Sequence, residues 1–367
     1  MKGKYMKAAI LYEVNKPLVV EDGVTVDDPG KGEVKVKVAY TAVCHSDLHF
    51  FTGEIPSPLP GLAGHETSGY VDAVGEGVYK VKKGDTVIIG TVTSGCGRCY
   101  YCKIGKPHYC VERDAFSRPK HKNAKGQPLA LMAGPVGGFV EYTTVPQELV
   151  TTIPKDMPLD KACLLACGVT SGFGAVVNRA KVPAMSSVVV VGTGGVGLNS
   201  IQGAVFSGAY PVIAVDVLDS KLKTANEFGA THTVNIAKEK DPVKAVQDMT
   251  NGRGADYVFV TVGKVEAIRM GFSMSGVMGM TVIIGLAGGD LKEFTPLEFI
   301  FGEKILTGAG GGSIRSSVDI PFLISLYKAG KLKLDELITA YYPLEKINEA
   351  VDSLKKGEAL RNIIKFE

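Results

Sequence analysis

Val188-Val189-Val190-Val191-Gly192-Thr193-Gly194-Gly195-Val196-Gly197 is the stretch that decides the fold. Four β-branched residues without polar alternation read as a strand buried on both faces, the habit of a parallel sheet. The glycines that follow form G-x-G-x-x-G at the point where that strand should turn into a helix. Gly192 makes the tight turn, Gly194 lets the backbone approach a pyrophosphate, and Gly197 lets helix and strand pack closely. Gly195 and Val196 complete the first helical turn, whose unpaired N–H groups and partial positive charge suit phosphates. Downstream, apolar strands at Val212 to Val215, Tyr257 to Val260 and Thr281 to Ile284 alternate with helical patterns such as Ser220 to Phe228. That rhythm predicts a doubly wound parallel sheet, complete by about Leu306. Asp216 closes the second strand 19 residues beyond Gly197. A carboxylate there accepts bonds from the adenosine ribose hydroxyls and repels a 2′-phosphate, so NAD is expected rather than NADP. The bland alternative is a glycine turn followed by an Asp that caps the next helix.

Upstream the texture differs. Val34, Val36, Val38 and Tyr40 alternate with Lys35, Lys37 and Ala39, and Val81 to Ile89 reads as a turn followed by a strand, just after Gly75 and Gly77. An antiparallel, barrel-like β domain is predicted. After about Gly308 come helical patterns near Pro321 to Lys328 and Leu344 to Lys355, then a strand-like Asn362 to Phe366, a tail expected to rejoin the first domain. A length of 367 residues favours two domains. With 45% apolar and 22% charged residues the chain is an ordinary globular one, and 41 basic minus 38 acidic side chains leave +3. Neither sign gathers into a block, so no nucleic-acid or membrane surface is expected. The N-terminus resembles no signal peptide and no segment is long and apolar enough to span a bilayer, which makes the cytoplasm the expected location.

Four of the seven cysteines fall between positions 96 and 110. In a reducing compartment such crowding reads as metal ligation before disulfides. Cys96-x2-Cys99-x2-Cys102-x7-Cys110 can close a tetrahedral thiolate shell around one structural zinc. An iron–sulfur cluster is the rival, but the ferredoxin run spaces its fourth cysteine differently and follows it with Pro, whereas Val111 follows Cys110. A second constellation joins Cys44-His45-Ser46-Asp47-Leu48-His49, Gly64-His65-Glu66 and, much later, Ala166-Cys167-Gly168-Val169-Thr170-Ser171-Gly172. Two thiolates and one imidazole are the protein share of a catalytic zinc, a coordination known from alcohol dehydrogenase.

Taken in order, Cys-His-Ser-Asp-x-His, Gly-His-Glu-x-x-Gly, the four-cysteine lobe, Cys-Gly-Val-Thr-Ser-Gly and Gly-Thr-Gly-Gly-Val-Gly span essentially the whole chain. The pattern resembles the zinc-dependent alcohol dehydrogenases of the medium-chain dehydrogenase/reductase superfamily. The resemblance implies a GroES-like β-rich catalytic domain over residues 1–164 and 309–367, with the structural zinc lobe at about 95–111, and a Rossmann NAD-binding domain over 165–308. It implies Cys44, His65 and Cys167 as ligands of a catalytic zinc, Asp47 and Glu66 as carboxylates behind them, and two zinc ions per chain. Cys163, four residues before Cys167 and so on the same face of a continuous helix, is read as a small buried hydrophobe.

The same resemblance implies the chemistry. A dication makes an alcohol a stronger acid. Ser46 would take the hydroxyl proton and pass it through the nicotinamide ribose to His49, an imidazole being the side chain that titrates near neutrality, while hydride goes to NAD. His45 and Arg361 are implied at the pyrophosphate, Lys221 at the adenosine ribose, and Ser171 among the cofactor-binding residues; Val92, Phe139 and Leu286 would line the substrate channel. Blander readings stand beside these: Asp47 as a turn cap, His49 and Lys221 as solvated side chains, the three apolar residues as core. The substrate expected is a small alcohol or aldehyde, alternatively a polyol, an amino-acid alcohol or an S-hydroxymethylglutathione-type adduct; a non-catalytic zinc protein is the reading from another class. A homodimer or homotetramer pairing through the cofactor domain is implied, and the apolar stretch Gly276 to Leu286 is compatible with such an edge, although a buried central strand would look the same. The loops Phe50 to Leu62 and Phe116 to Gly137 carry no periodic signal.

Overall fold

The computed structural model describes residues 5–112 and 119–366; the first part of the loop Phe116 to Gly137 therefore lies outside the described residues. The chain forms two compact units, one made of Met1–Cys167 with Arg315–Glu367 and the other of Gly168–Ile314.

In the second unit Val188–Val191 is the third of six parallel strands, in the order His232–Asn235, Val212–Asp216, Val188–Val191, Ala255–Val260, Ser275–Ile283, Ile305–Gly308. Val188 pairs with Val212 on one side and Tyr257 on the other, and all four valines are buried. Their branched side chains fill both faces of the sheet, which is why no polar alternation appears in the sequence. The strand order reverses at Val188–Val191, and in such sheets ligands bind outside the carboxyl ends of the strands at that reversal. Gly192 and Asp216 both stand at those ends. Of the stretch Gly276 to Leu286, the residues through Ile283 belong to the strand Ser275–Ile283, flanked on both sides, which is the inner-strand alternative; the edges are Ile305–Gly308 and His232–Asn235.

The first unit is built from two mainly antiparallel sheets. Glu33–Val43 is its organising strand, pairing with Glu66–Val74, Tyr142–Pro146 and Arg361–Lys365. The last of these is the chain's tail, with Asn362 opposite Val43. Period-two alternation along Glu33–Val43 is broken at Lys35, which is 7% exposed. Its ammonium reaches Asp28 at 3.3 Å and lies 6.0 Å from the centre of the Tyr142 ring, so the alkyl stem packs inside while the charge keeps a partner.

The unit boundaries fall a few residues beyond 164/165 and 308/309. Cys163–Ala166 forms a 3-10 turn packed on the strands Glu66–Val74 and Thr86–Ile89, which keeps Cys167 with the first unit. Beyond the last parallel strand, Gly310–Ser313 packs on the helix Gly168–Gly174, which keeps it with the second. Gly312 has φ +64°, and a Cβ there would meet Thr170 O at 2.1 Å, so only glycine permits that approach. No single helix among the described residues is long and apolar enough to cross a membrane.

Candidate active site

The strand Glu33–Val43 delivers Cys44 directly to the N-terminus of a short helix, His45–Phe51, while Glu66–Val74 begins immediately after His65. These two strands pair antiparallel, Ala42 opposite Glu66, so their adjoining ends bring Cys44 and His65 together. Cys167 arrives from the far end of the unit, where its φ −146° and ψ −73° break the chain between the 3-10 turn and the next helix. That break corrects the expectation that Cys163 and Cys167 share a helix face. Cys163 is buried with its Sγ on Asp160 O at 3.2 Å, while Cys167 turns toward Cys44. One ligand atom each from Cys44, His65, Glu66 and Cys167 lie within 4.8 Å of one another.

Asp47 is fully buried and holds this cluster in shape. Its Oδ1 accepts from Gly64 N at 3.2 Å and meets His65 Nδ1 at 3.2 Å, and its Oδ2 accepts from Cys44 N at 3.0 Å. The capping reading and the ligand-orienting reading are therefore one arrangement: Asp47 caps the helix and holds His65, placing the proton on Nδ1 and leaving the Nε2 lone pair toward the thiols. Ser46 Oγ lies 3.0 Å from Cys44 Sγ and 3.2 Å from His65 Nε2.

The electrostatics describe a donor set short of positive charge. The hydrogen bond from Cys167, with further help from His65 and Arg361, holds Cys44 well below the usual thiol range. Donating that bond, together with burial, pushes Cys167 well above it. Burial alone would lower His65, but Asp47 and Cys44 outweigh it and hold the imidazole well above its ordinary value. Burial pushes Glu66 up to about 8 against the pull of Arg361. Two thiols and a carboxyl that resist ionising together are what a dication would relieve, so the residues present fit zinc.

Arg361 has a carboxylate partner that its sequence neighbours do not announce. Its guanidinium Nε lies 3.3 Å from Glu66 Oε2 and the residue is 4% exposed, so a buried carboxylate holds one edge of it. Phe139 lies in the core, fully buried with its N–H donating to Ala63 O at 3.0 Å. Val92 is half-buried, and His45 is exposed. His49 Nδ1 pairs with Glu54 Oε2, a carboxylate that sequence reasoning did not single out. The signal was present in Thr52-Gly53, a break that folds the following residue back over the helix end.

In the cysteine lobe, Cys96, Cys99, Cys102 and Cys110 place their sulfurs within 4.8 Å of one another. A tetrahedral thiolate shell at ~2.3 Å from zinc spaces sulfurs ~3.8 Å apart, so small adjustments close it. Peptide N–H groups already point at two of the sulfurs, Cys96 N to Cys110 and Cys99 N to Cys96, both at 3.4 Å. Backbone hydrogen bonds from the Cys102 and Val111 region lower the Cys99 thiol to about 6, whereas burial raises Cys102 to about 12. Gly95, at φ +85°, has no room for a Cβ, which would meet Cys102 Sγ at 2.5 Å.

At the glycine turn of the second unit, Gly192 has φ +88°, and a Cβ on Gly197 would meet Gly192 O at 1.9 Å. A Cβ on Gly194 would meet nothing within 4 Å, leaving its peptide accessible at the start of the helix Gly195–Phe206. That open N-terminus fits a pyrophosphate. Asp216 is 8% exposed and already accepts four bonds, from Thr193 N and Oγ1 and from Val217 N and Leu218 N, at 2.8 to 3.2 Å. These bonds tie the glycine turn to the chain leaving the second strand and cap neither helix, since Asp219–Glu227 begins after Leu218 with no side-chain cap; ribose hydroxyls would share or replace them. Lys221 and Ser171 are half-exposed.

Comparison with known proteins agrees with this geometry. Residues 30–155 match the family described as alcohol dehydrogenase GroES-like domain, and residues 195–328 match zinc-binding dehydrogenase. The chain is 38% identical to the S-(hydroxymethyl)glutathione dehydrogenase of Saccharomyces cerevisiae, over 100% of this chain and 98% of that one. It belongs to the zinc-dependent alcohol dehydrogenase family. A class-3 alcohol dehydrogenase of Dictyostelium discoideum is 36% identical over 98% of this chain and 97% of that one. The crystal structure of benzyl alcohol dehydrogenase from Acinetobacter calcoaceticus superposes with a TM-score of 0.91 at 31% identity, covering 99% of this chain and 100% of that chain. The protein is an oxidoreductase of the zinc alcohol dehydrogenase type, and zinc and a nicotinamide dinucleotide are the cofactors of its family.

Proposed function

We propose that this alcohol dehydrogenase holds its catalytic zinc on Cys44, His65 and Cys167, a second, structural zinc on Cys96, Cys99, Cys102 and Cys110, and NAD on the Gly192–Gly197 turn with Asp216. Bound zinc supplies Lewis acidity to a substrate oxygen and NAD supplies the hydride acceptor, so an alcohol is reversibly converted to an aldehyde or ketone. The chain's own residues do the rest. Asp47 fixes the His65 tautomer, and the Glu66–Arg361 pair backs the ligands. Ser46 Oγ, held beside Cys44 and His65, accepts the hydroxyl proton, and His49 carries it to solvent. What supports this most is one observation: donors from three separate segments converge within 4.8 Å.

The substrate favoured is a simple or aromatic primary alcohol, in line with the benzyl alcohol dehydrogenase likeness. The identity to the yeast S-(hydroxymethyl)glutathione dehydrogenase favours a second reading, a glutathione adduct of formaldehyde. Homodimers or homotetramers fit the exposed apolar residues Leu297, Ile300 and Phe301 of the helix Pro296–Gly302 and Ile305 of the edge strand after it, which are 45–79% exposed. Seven cysteines without a disulfide fit the reducing cytoplasm.

The test combines metal analysis with NADH formation across a panel of aliphatic, benzylic and glutathione-linked alcohols. Two zinc ions per chain are expected, with Cys44→Ser losing one together with turnover and Cys102→Ser losing the other. A single zinc retained in Cys44→Ser, or turnover unaffected by that substitution, refutes the assignment.

A further inference from the structure

The geometry points to Glu54 as the residue that positions His49 and opens its path to water, an inference that rests on the relay reading above. The helix His45–Phe51 stops at Thr52, whose Oγ1 donates to Leu48 O at 3.0 Å. Gly53, at φ +78°, reverses the chain, and Ile55 N then donates to His49 O at 3.0 Å. This clasp folds Glu54 over the last helical turn, where its Oε2 meets His49 Nδ1. The His49 side chain is 22% exposed and that of Glu54 65%, so the pair runs from a half-buried imidazole into open solvent.

Other charges near this helix are held by other partners or stand exposed to solvent. Asp47 is buried on Cys44 N, Gly64 N and His65. The helix Ile347–Lys355 packs Ile347, Ala350, Val351 and Leu354 into the cluster that holds Leu48 and Phe51, and keeps Glu349, Asp352 and Lys355 exposed. The segment carrying Glu13 and Lys16 meets the helix end through Asn15 N on Phe51 O at 2.7 Å, with both charged residues exposed. Among the described residues Glu54 is the charged side chain within ion-pair distance of His49.

A carboxylate on Nδ1 keeps that nitrogen protonated and leaves the Nε2 lone pair as the acceptor. One proton arrives at Nε2, the imidazolium rests against the Glu54 carboxylate, and one proton leaves to water. Glu54 acts through His49 and touches neither substrate nor cofactor.

The test is a double-mutant cycle on the zinc-loaded enzyme, with kcat measured against pH for parent, Glu54→Ala, Glu54→Gln, His49→Gln and Glu54→Ala/His49→Gln. Glu54→Ala is expected to lose roughly tenfold in kcat on the acidic side, the low end of what losing an imidazole-orienting carboxylate costs at metal sites, with little change in KM. Glu54→Gln, which keeps an acceptor oxygen without the charge, should lose less. The double variant should be no slower than His49→Gln, since residues acting through one another are not additive. In parallel, nitrogen-15 NMR of the side chain should find the His49 proton on Nδ1 in the parent and shifted toward Nε2 in Glu54→Ala. Additive losses in the double variant, or an unchanged tautomer and pH profile in Glu54→Ala while His49→Gln alters the profile, overturn the role of Glu54 alone. A His49→Gln profile identical to the parent's overturns the relay reading, and the role of Glu54 falls with it.

Discussion

Replacing Asp47 by Asn tests how far one buried carboxylate organises the metal site. The substitution keeps the shape of the side chain but turns one acceptor oxygen into an NH2 donor. Oδ1 serves two donors, Gly64 N and His65 Nδ1, whereas Oδ2 serves Cys44 N alone. The amide will therefore direct its NH2 at Cys44 N, losing one bond and setting two donors face to face in a site with no exposure. An unsatisfied buried donor costs about 1–3 kcal/mol, so the variant should lose about 2 kcal/mol of stability even without metal. The remaining bond to His65 becomes neutral rather than charge-assisted, which weakens the hold on the tautomer; zinc affinity should fall about tenfold or more. Denaturant unfolding of metal-free protein reads the first effect, and zinc competition against a chromogenic chelator reads the second. Unchanged unfolding and unchanged zinc affinity together would refute the proposition that Asp47 shapes the ligand set.

Other substitutions separate fold from function elsewhere in the chain. Gly194→Ala has room for its Cβ, so its melting temperature should match the parent's while NAD binding, read by fluorescence titration, weakens; Gly197→Ala forces a methyl onto Gly192 O and should lose at least about 1–3 kcal/mol of stability as well. Asp216→Ala should weaken NAD and improve NADP relative to it, and should also destabilise, because Thr193 N, Val217 N and Leu218 N lose their acceptor; equal cofactor preference in mutant and parent counts against the assignment. His121, 1% exposed, is lowered to about 4 by burial, against the supporting bond to Tyr142 O. Its unfolded value is ~6.5, so the unfolded chain binds the extra proton between about pH 4 and 6.5, and up to about 3 kcal/mol of stability present above that window is lost as pH falls through it. Denaturant midpoints for His121→Gln should fall less steeply across the same range, and a slope equal to the parent's would exclude this histidine as the source.

The motifs built on local geometry were legible in the chain itself. Four consecutive valines, the glycine turn and the cysteine spacing of the lobe each depend on neighbours within about fifteen positions, where turn conformation and strand burial leave their mark on residue type. Distances of a hundred residues or more left no such mark. Cys163 and Cys167 look equivalent by helical periodicity, and only the break at Cys167 separates them. Nothing near Arg361 in the sequence announces Glu66 as its partner, which the pairing of Arg361–Lys365 with Glu33–Val43 brings to it.

By itself the sequence determined a parallel dinucleotide-binding sheet, a thiolate lobe and the residue types of a zinc site, because those follow from backbone conformation and donor chemistry carried within short segments. The family pattern already pointed to Cys167, Asp47 and Glu66; tertiary structure alone decided how Asp47 grips His65 and Cys44, that Arg361 stands against Glu66, and that Glu54 faces His49. Those choices are made by strand register and chain reversal, which bring together side chains whose sequence separation says nothing about their distance in space.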